Sequence, residues 1–223
     1  MARTKLKDQI LPDYTRGEEI FHMVSHIVGG AIGVAILCLG VTIAVLHKNT
    51  AGIVTGVVYG CSVILLYTVS SVYHGLPVSP AKRVMRTVDH CTIYVMIAGC
   101  FTPLAGSAVA ESNPRLAYGF LAFFWAMAIL AIVFTAIDMT KYRKLSMVAY
   151  IGLGWSMMLI VRPIYQAIGP KGFMLLMAGG ICYTVGAVIY GIGRARPYAH
   201  SVFHVLVVAG TVLHFFCIAL YVL

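Results

Sequence analysis

The chain has 223 residues and a formal net charge of +9; 61% of it is hydrophobic and only 10% charged. Soluble domains are roughly 45–50% apolar and about 25% charged, so this composition cannot supply a water-facing surface. It excludes a soluble enzyme or carrier and predicts an all-α membrane protein that crosses the bilayer several times.

Residues 1–22 read as a polar cytoplasmic tail carrying Arg3, Lys5, Lys7 and Arg16. The apolar run after Glu19 is too long for a secretory signal, and no small-residue cleavage site follows it, so it is expected to be retained as a span. Residues 23–223 read as the transmembrane domain. Apolar segments fall near 23–46, 51–73, 89–110, 115–137, 147–168, 172–193 and 200–222. Each is about 20 residues, the length that crosses a hydrocarbon core about 30 Å thick. A seven-transmembrane helix bundle is therefore expected. The breaks at 47–49, 77–86, 111–114, 138–144, 169–171 and 194–197 carry proline, glycine or charge. None could hold a separate domain, and no repeat is visible.

Basic residues set the expected direction. The tail, together with Lys82, Arg83, Arg86, Lys141, Arg143, Lys144, Arg194 and Arg196, holds 12 of the 16 Lys and Arg residues. Lys48, Arg115, Arg162 and Lys171 fall on the other side. The positive-inside rule then puts the N-terminus in the cytoplasm and the C-terminus outside, in the cell's inner membrane. The basic balance suits loops that face anionic lipid and calls for no nucleic-acid partner.

Gly29 and Gly33 on the first span, and Gly52, Gly56 and Gly60 on the second, have the spacing that lets helices approach closely. Intramolecular packing is the simpler use of this pattern than a dimer face. Cys38, Cys61, Cys91, Cys100, Cys182 and Cys217 all lie in apolar segments without a CxxC pair. They read as small buried hydrophobes, neither a disulfide framework nor a thiolate metal site.

With this topology, four helices bring polar groups to one layer beneath the cytoplasmic face. The first span brings Glu18, Glu19, His22 and His26, and the second ends at Ser70 and His74. The third opens with Asp89 and His90, and the last opens with His200 and His204. Ionisable residues inside a membrane are costly and mark functional positions. Ser70 and His74, and again His200 and His204, are four residues apart and share a helix face. A lone intramembrane histidine is commonly an interhelical hydrogen bonder. The set His74, His200 and His204 agrees in both spacing and depth, and three imidazoles at one point form a zinc-type site with a position left open. His22 and His26 form a second, lower-ranked pair. Glu18 and Glu19 read either as helix-capping residues at the N-terminal dipole or as lining for the site. His214 lies about 15 Å further along the last helix and reads as an interhelical hydrogen bonder. His47 reads as interfacial.

These residues resemble the hemolysin III family, the bacterial branch of the progestin and adipoQ receptor superfamily. The resemblance rests on the segment GEEIFHMVSH at 17–26, Ser70-x-x-x-His74 followed by Asp89 and His90, and His200-x-x-x-His204. It covers nearly the whole chain. It implies seven helices with a cytoplasmic N-terminus, Zn²⁺ on His74, His200 and His204, and Asp89 with Ser70 holding the attacking water. The superfamily includes alkaline ceramidases, which implies amide hydrolysis on lipids. One departure is His22, which stands where relatives are expected to carry an amide-type side chain. The absence of a soluble domain before the first span makes a receptor role the weaker expectation.

Three functions follow. The first is a zinc-dependent intramembrane hydrolase acting on a lipid amide or ester in the cytoplasmic leaflet, with Asp89 as general base and Ser70 as orienting group. The second is a regulatory or sensor protein stabilised by a structural zinc, with Asp89 completing the shell. The third is a cytolysin, disfavoured because so apolar a chain cannot travel through water unassisted.

Overall fold

The computed structural model describes residues 4–193 and 196–223. Arg3 and Arg194, counted above among the basic residues of one face, lie outside them. Among the described residues the regular structure is entirely helical. The long helices are α1 (Arg16–Leu46), α2 (Thr50–Gly75), α3 (Pro80–Pro103), α4 (Pro114–Ile137), α5 (Arg143–Trp155), α6 (Val161–Ile192) and α7 (Ala199–Tyr221). Past Pro103, α3 widens into a π-helical turn at Leu104–Val109, where the proline supplies no backbone donor.

The helices begin in polar residues ahead of the apolar runs. Thr15 accepts from the Glu18 amide while Glu18 accepts from the Thr15 amide, a capping box that starts α1 at Arg16. Ser79 caps α3, with Pro80 at its first turn. Large apolar side chains such as Ile27, Val34, Leu39, Ile129, Val133 and Ile181 point outward. His22, His26, His74, His204, Ser62, Ser70, Thr55 and Thr211 lie inside. This inverted arrangement suits lipid as the surrounding medium, and the chain is a multi-pass membrane protein.

Among the described residues, six stretches are long and apolar enough to cross a membrane: Arg16–Leu46, Thr50–Gly75, Pro80–Ser112, Pro114–Ile137, Arg143–Ile192 and Ala199–Tyr221. The seven expected segments differ from these at one place. The segments at 147–168 and 172–193 fall in one 50-residue stretch. A straight helix of that length would run about 75 Å, more than twice the hydrocarbon thickness. It is not straight. Gly169 has φ 66° and ψ 178°, a conformation open essentially to glycine, and Pro170 follows it. The Trp155 indole donates to Thr184 Oγ1 at 3.0 Å, so the arms on either side of Gly169 fold against each other.

The expected use of the glycines is visible between α1 and α2. A Cβ on Gly29 would lie 2.6 Å from the Tyr67 ring, and one on Gly60 would lie 2.8 Å from the Leu37 Cα. Close backbone approach within one chain explains the motif. The cysteines need a correction. Cys100 and Cys217 are buried, but Cys38 and Cys61 are exposed on the outer faces of their helices. In lipid an apolar thiol gains little by being inside, so burial does not follow from its hydrophobicity.

Candidate metal centre

α1 divides its two glutamates between two tasks. Glu18 closes the capping box, and its Oε1 accepts the Tyr198 amide at 2.8 Å, tying the start of α1 to the turn before α7. That turn places Tyr198 at φ 59°. Glu19, one residue on, faces α2. Its Oε2 accepts from His74 Nδ1 at 2.6 Å and its Oε1 pairs with Lys82 Nζ at 2.8 Å. Lys82 is buried and also donates to the Leu76 carbonyl at 2.8 Å.

With its Nδ1 proton on Glu19, His74 turns an Nε2 lone pair inward. His204 is set the same way: its Nδ1 lies 3.2 Å from Ser25 Oγ, whose own hydroxyl donates to the His22 carbonyl. The inward atoms converge. His74 Nε2 is 3.4 Å from His200 Nε2, which is 3.0 Å from His204 Nε2. Two nitrogens bound at about 2.0–2.1 Å to one tetrahedral zinc stand about 3.3 Å apart, so this spacing fits an ion. The supporting carboxylate and hydroxyl are the partners that metal-ligating histidines commonly have.

Of the three histidines singled out by spacing, the structure gathers His74 and His200 with His22 into one group, and His204 adjoins it through the contact with His200. The ligand atoms of His22, His74 and His200 lie within 4.8 Å of one another, a group that could hold a metal ion. His22 is fully buried; its Nε2 meets Ser201 Oγ at 3.0 Å and its Nδ1 has no partner. His26 stacks on His204 with ring centroids 3.6 Å apart, and neither of its nitrogens has a partner. Sequence reasoning ranked this pair lower. The signal was present in the Glu19, His22, His26 spacing, which sets all three on one face of α1.

Asp89 and Ser70 stand beside the histidines rather than among them. Both line the adjoining cavity, and Asp89 is not part of the group whose donor atoms fall within 4.8 Å. His90 Nδ1 donates to the Arg86 carbonyl at 2.9 Å, and the ring lines the same cavity. Asp89, Ser70, His200 and His204 line one end of a cavity of ≈ 150 Å³. It continues between α3, α5, α6 and α7 over side chains such as Met157, Leu176 and Phe203. His214 lies deep in this cavity, donating from Nε2 to the Leu176 carbonyl at 3.0 Å and facing Cys100 Sγ at 2.9 Å. It bridges helices, as its distance from His204 implied. His47 Nδ1 meets the Leu223 carbonyl at 3.0 Å.

The opposite side of the cluster is covered by residues 4–15. Thr4 donates to Asp138, Arg83 to the Gln9 carbonyl and Arg86 to the Ile10 carbonyl. Tyr14 stacks on His200 at 5.1 Å, and burial pushes its phenol up. A second cavity of ≈ 590 Å³ opens here, lined by Asp13, Tyr14, Arg86, Arg143, Arg196 and His200 among others. Arg143 and Arg196 flank the two ends of the 50-residue stretch, so the chain leaves this face and returns to it.

The geometry accords with comparisons of the sequence. A family model described as "Haemolysin-III related" matches residues 14–215. "Hemolysin-3" of Bacillus cereus is 32% identical over 206 residues, covering 92% of each chain. "Hemolysin-3 homolog" of Bacillus subtilis (strain 168) is 31% identical over 208 residues, covering 93% of this chain and 96% of the relative. The human "Monocyte to macrophage differentiation factor" is 29% identical over 172 residues, covering 74% of this chain and 69% of the relative. No solved structure gives a significant match.

Proposed function

The chain belongs to the haemolysin-III-related family, and from that premise we propose that it is a zinc-dependent intramembrane hydrolase of a lipid amide or ester. The observation that carries this reading is the convergence of three Nε2 atoms, spaced 3.4 and 3.0 Å, at the head of an apolar cavity that also holds Asp89 and Ser70. The reading takes the stretch at 143–192 as two spans that turn at Gly169, giving seven. The cluster then lies near the cytoplasmic face of the inner membrane.

His74, His200 and His204 would hold the ion, with Glu19 and Ser25 fixing two of the rings. Neutral imidazole donors suit zinc and its borderline neighbours over magnesium or calcium. When bound, zinc polarises a carbonyl and lowers the pKa of water toward about 7. The apolar cavity accepts the hydrocarbon of a lipid and excludes bulk water. Asp89 Oδ takes a proton from the attacking water and returns it to the leaving amine or alcohol as the acyl bond breaks. Ser70 Oγ orients the Asp89 carboxyl. The products are a fatty acid and the freed amine or alcohol.

A second reading, in which the ion is structural in a regulatory or sensor membrane protein, is favoured by His22, whose ring shares the cluster. Zinc-loaded protein in lipid nanodiscs, incubated with ceramide-like and acyl lipids and assayed for released fatty acid, tests the enzyme reading. Release that is lost in Asp89→Ala while zinc is retained supports hydrolysis. Full zinc occupancy with no release across the panel ends it.

A further inference from the structure

His22 is the residue in which this chain departs from the pattern it resembles, and the structure gives it an unassigned position. The rings of His22, His74, His200 and His204 sit at the corners of a tetrahedron. The centroid of His22 is 4.7, 4.5 and 4.8 Å from those of His74, His200 and His204. The other three separations are 5.3, 5.1 and 4.6 Å. Four imidazoles bound to one ion at about 2.0–2.1 Å place their centroids about 5 Å apart, so the four ring positions are compatible with one centre; donor atoms of His22, His74 and His200 already lie within 4.8 Å of one another, and His204 joins them through its Nε2, 3.0 Å from that of His200. Three histidines of a four-coordinate site with an open position would leave one corner to water. Here that corner carries a ring.

The hydrogen bonding of His22 agrees. Nε2 meets Ser201 Oγ at 3.0 Å and Nδ1 is buried without a partner; in the tautomer whose Nε2–H donates to Ser201, Nδ1 presents a lone pair. Burying such an atom unpartnered is costly, and a cation at the centre of the tetrahedron satisfies it. The His22 carbonyl also accepts the Ser25 hydroxyl that supports His204, so the two rings are placed by one turn of α1. Among these four rings, only His200 and His204 line the apolar cavity. His22 and His74 close the centre from the far side.

We propose that His22, through Nδ1, is a fourth imidazole ligand, so that this chain builds a His₄ centre from α1, α2 and α7. The inference rests on reading the cluster as a metal centre and is independent of hydrolysis. In a four-coordinate His₄ centre, water or substrate gains the ion only by displacing a ring or by adding a fifth ligand from the side of Asp89 and the cavity.

The test uses the full chain in detergent, stripped with chelator and loaded with Zn²⁺ or Co²⁺. X-ray absorption at the metal edge counts imidazoles, and competition titration gives Kd. The expected result is one ion bound by four imidazoles in wild type. His22→Asn and His22→Gln are expected to retain an ion on three imidazoles, with Kd raised at least about 10–100-fold, the range for losing even indirect support. Three imidazoles in wild type, or an unchanged count with Kd within about twofold in both variants, overturns the inference while leaving the metal centre standing. Wild type that binds no ion defeats the metal reading itself. Should neither variant fold, the wild-type count decides alone.

Discussion

His74 Nδ1 lies 2.6 Å from Glu19 Oε2, and Lys82 Nζ holds the other oxygen of the same carboxylate at 2.8 Å. The pair fixes which ring nitrogen of His74 carries the proton and so aims Nε2 at the cluster. Glu19→Gln keeps the shape but weakens that orientation and the basicity of the ring. Metal affinity is expected to fall about 10–100-fold, measured by chelator competition, with the helical content unchanged.

Removing the inward rings themselves is more severe. Purified wild type is expected to keep about one equivalent of zinc through a chelator wash that strips most of it from His74→Ala and His204→Ala. Elemental analysis beside protein quantitation checks this. Zinc retained at full occupancy in His204→Ala would remove that residue from the ligand set.

Asp89 is expected to separate binding from turnover. Asp89→Asn is expected to keep the ion, because the imidazoles that would hold it are untouched by the change. Lipid hydrolysis is expected to drop about 10²–10⁴-fold, the usual contribution of a positioned base. A single-turnover assay on the zinc-loaded variant provides the measurement.

The glycines make a contrasting pair. Gly60→Ala drives a Cβ to 2.8 Å from the Leu37 Cα, backbone that cannot swing away. A loss of about 1–3 kcal/mol is expected, the cost of overpacking. Gly152→Ala meets nothing within 4 Å and is expected to be neutral. Thermal unfolding in one detergent, with both variants side by side, gives the comparison.

Acid is expected to loosen the N-terminal cover through Asp138. Burial alone would raise this carboxyl, but the Lys141 and Thr4 amides that donate to it at 2.9 and 2.8 Å hold it below the usual range. A depressed folded-state pKa means that the stabilisation is present above the unfolded value, about 3.9, and is lost as pH falls through the folded value. Asp138→Asn is expected to speed amide exchange near Thr4 by about tenfold at pH 7, the scale of one charge-assisted hydrogen bond. The difference from wild type should vanish once pH drops below the folded pKa.

Much of this was legible in one dimension because the bilayer imposes a length and a polarity on every span. His74, His200 and His204 stood out because ionisable groups in such segments are rare and two of them are four residues apart. Ser70 was placed beside them by depth and by its four-residue spacing from His74, and Asp89 by depth. Glu18 and Glu19 could not be told apart, since capping and ligand support both ask for an acid at the start of α1; a single step of rotation about the helix separates the two. The break at 169–171 was legible as a glycine–proline pair between apolar runs; the structure has a kink at Gly169 there, inside one 50-residue helical stretch.

Composition, segment length and spacing by themselves determined a helical multi-pass protein with a histidine layer at one end, for these follow from how lipid treats exposed backbone and charge. Only the tertiary structure decided that His22 joins His74 and His200 in one cluster. Which rings meet depends on the rotation of α1 against α2 and α7, and that rotation is fixed by contacts such as Gly29 on Tyr67 and Gly60 on Leu37, between residues far apart along the chain.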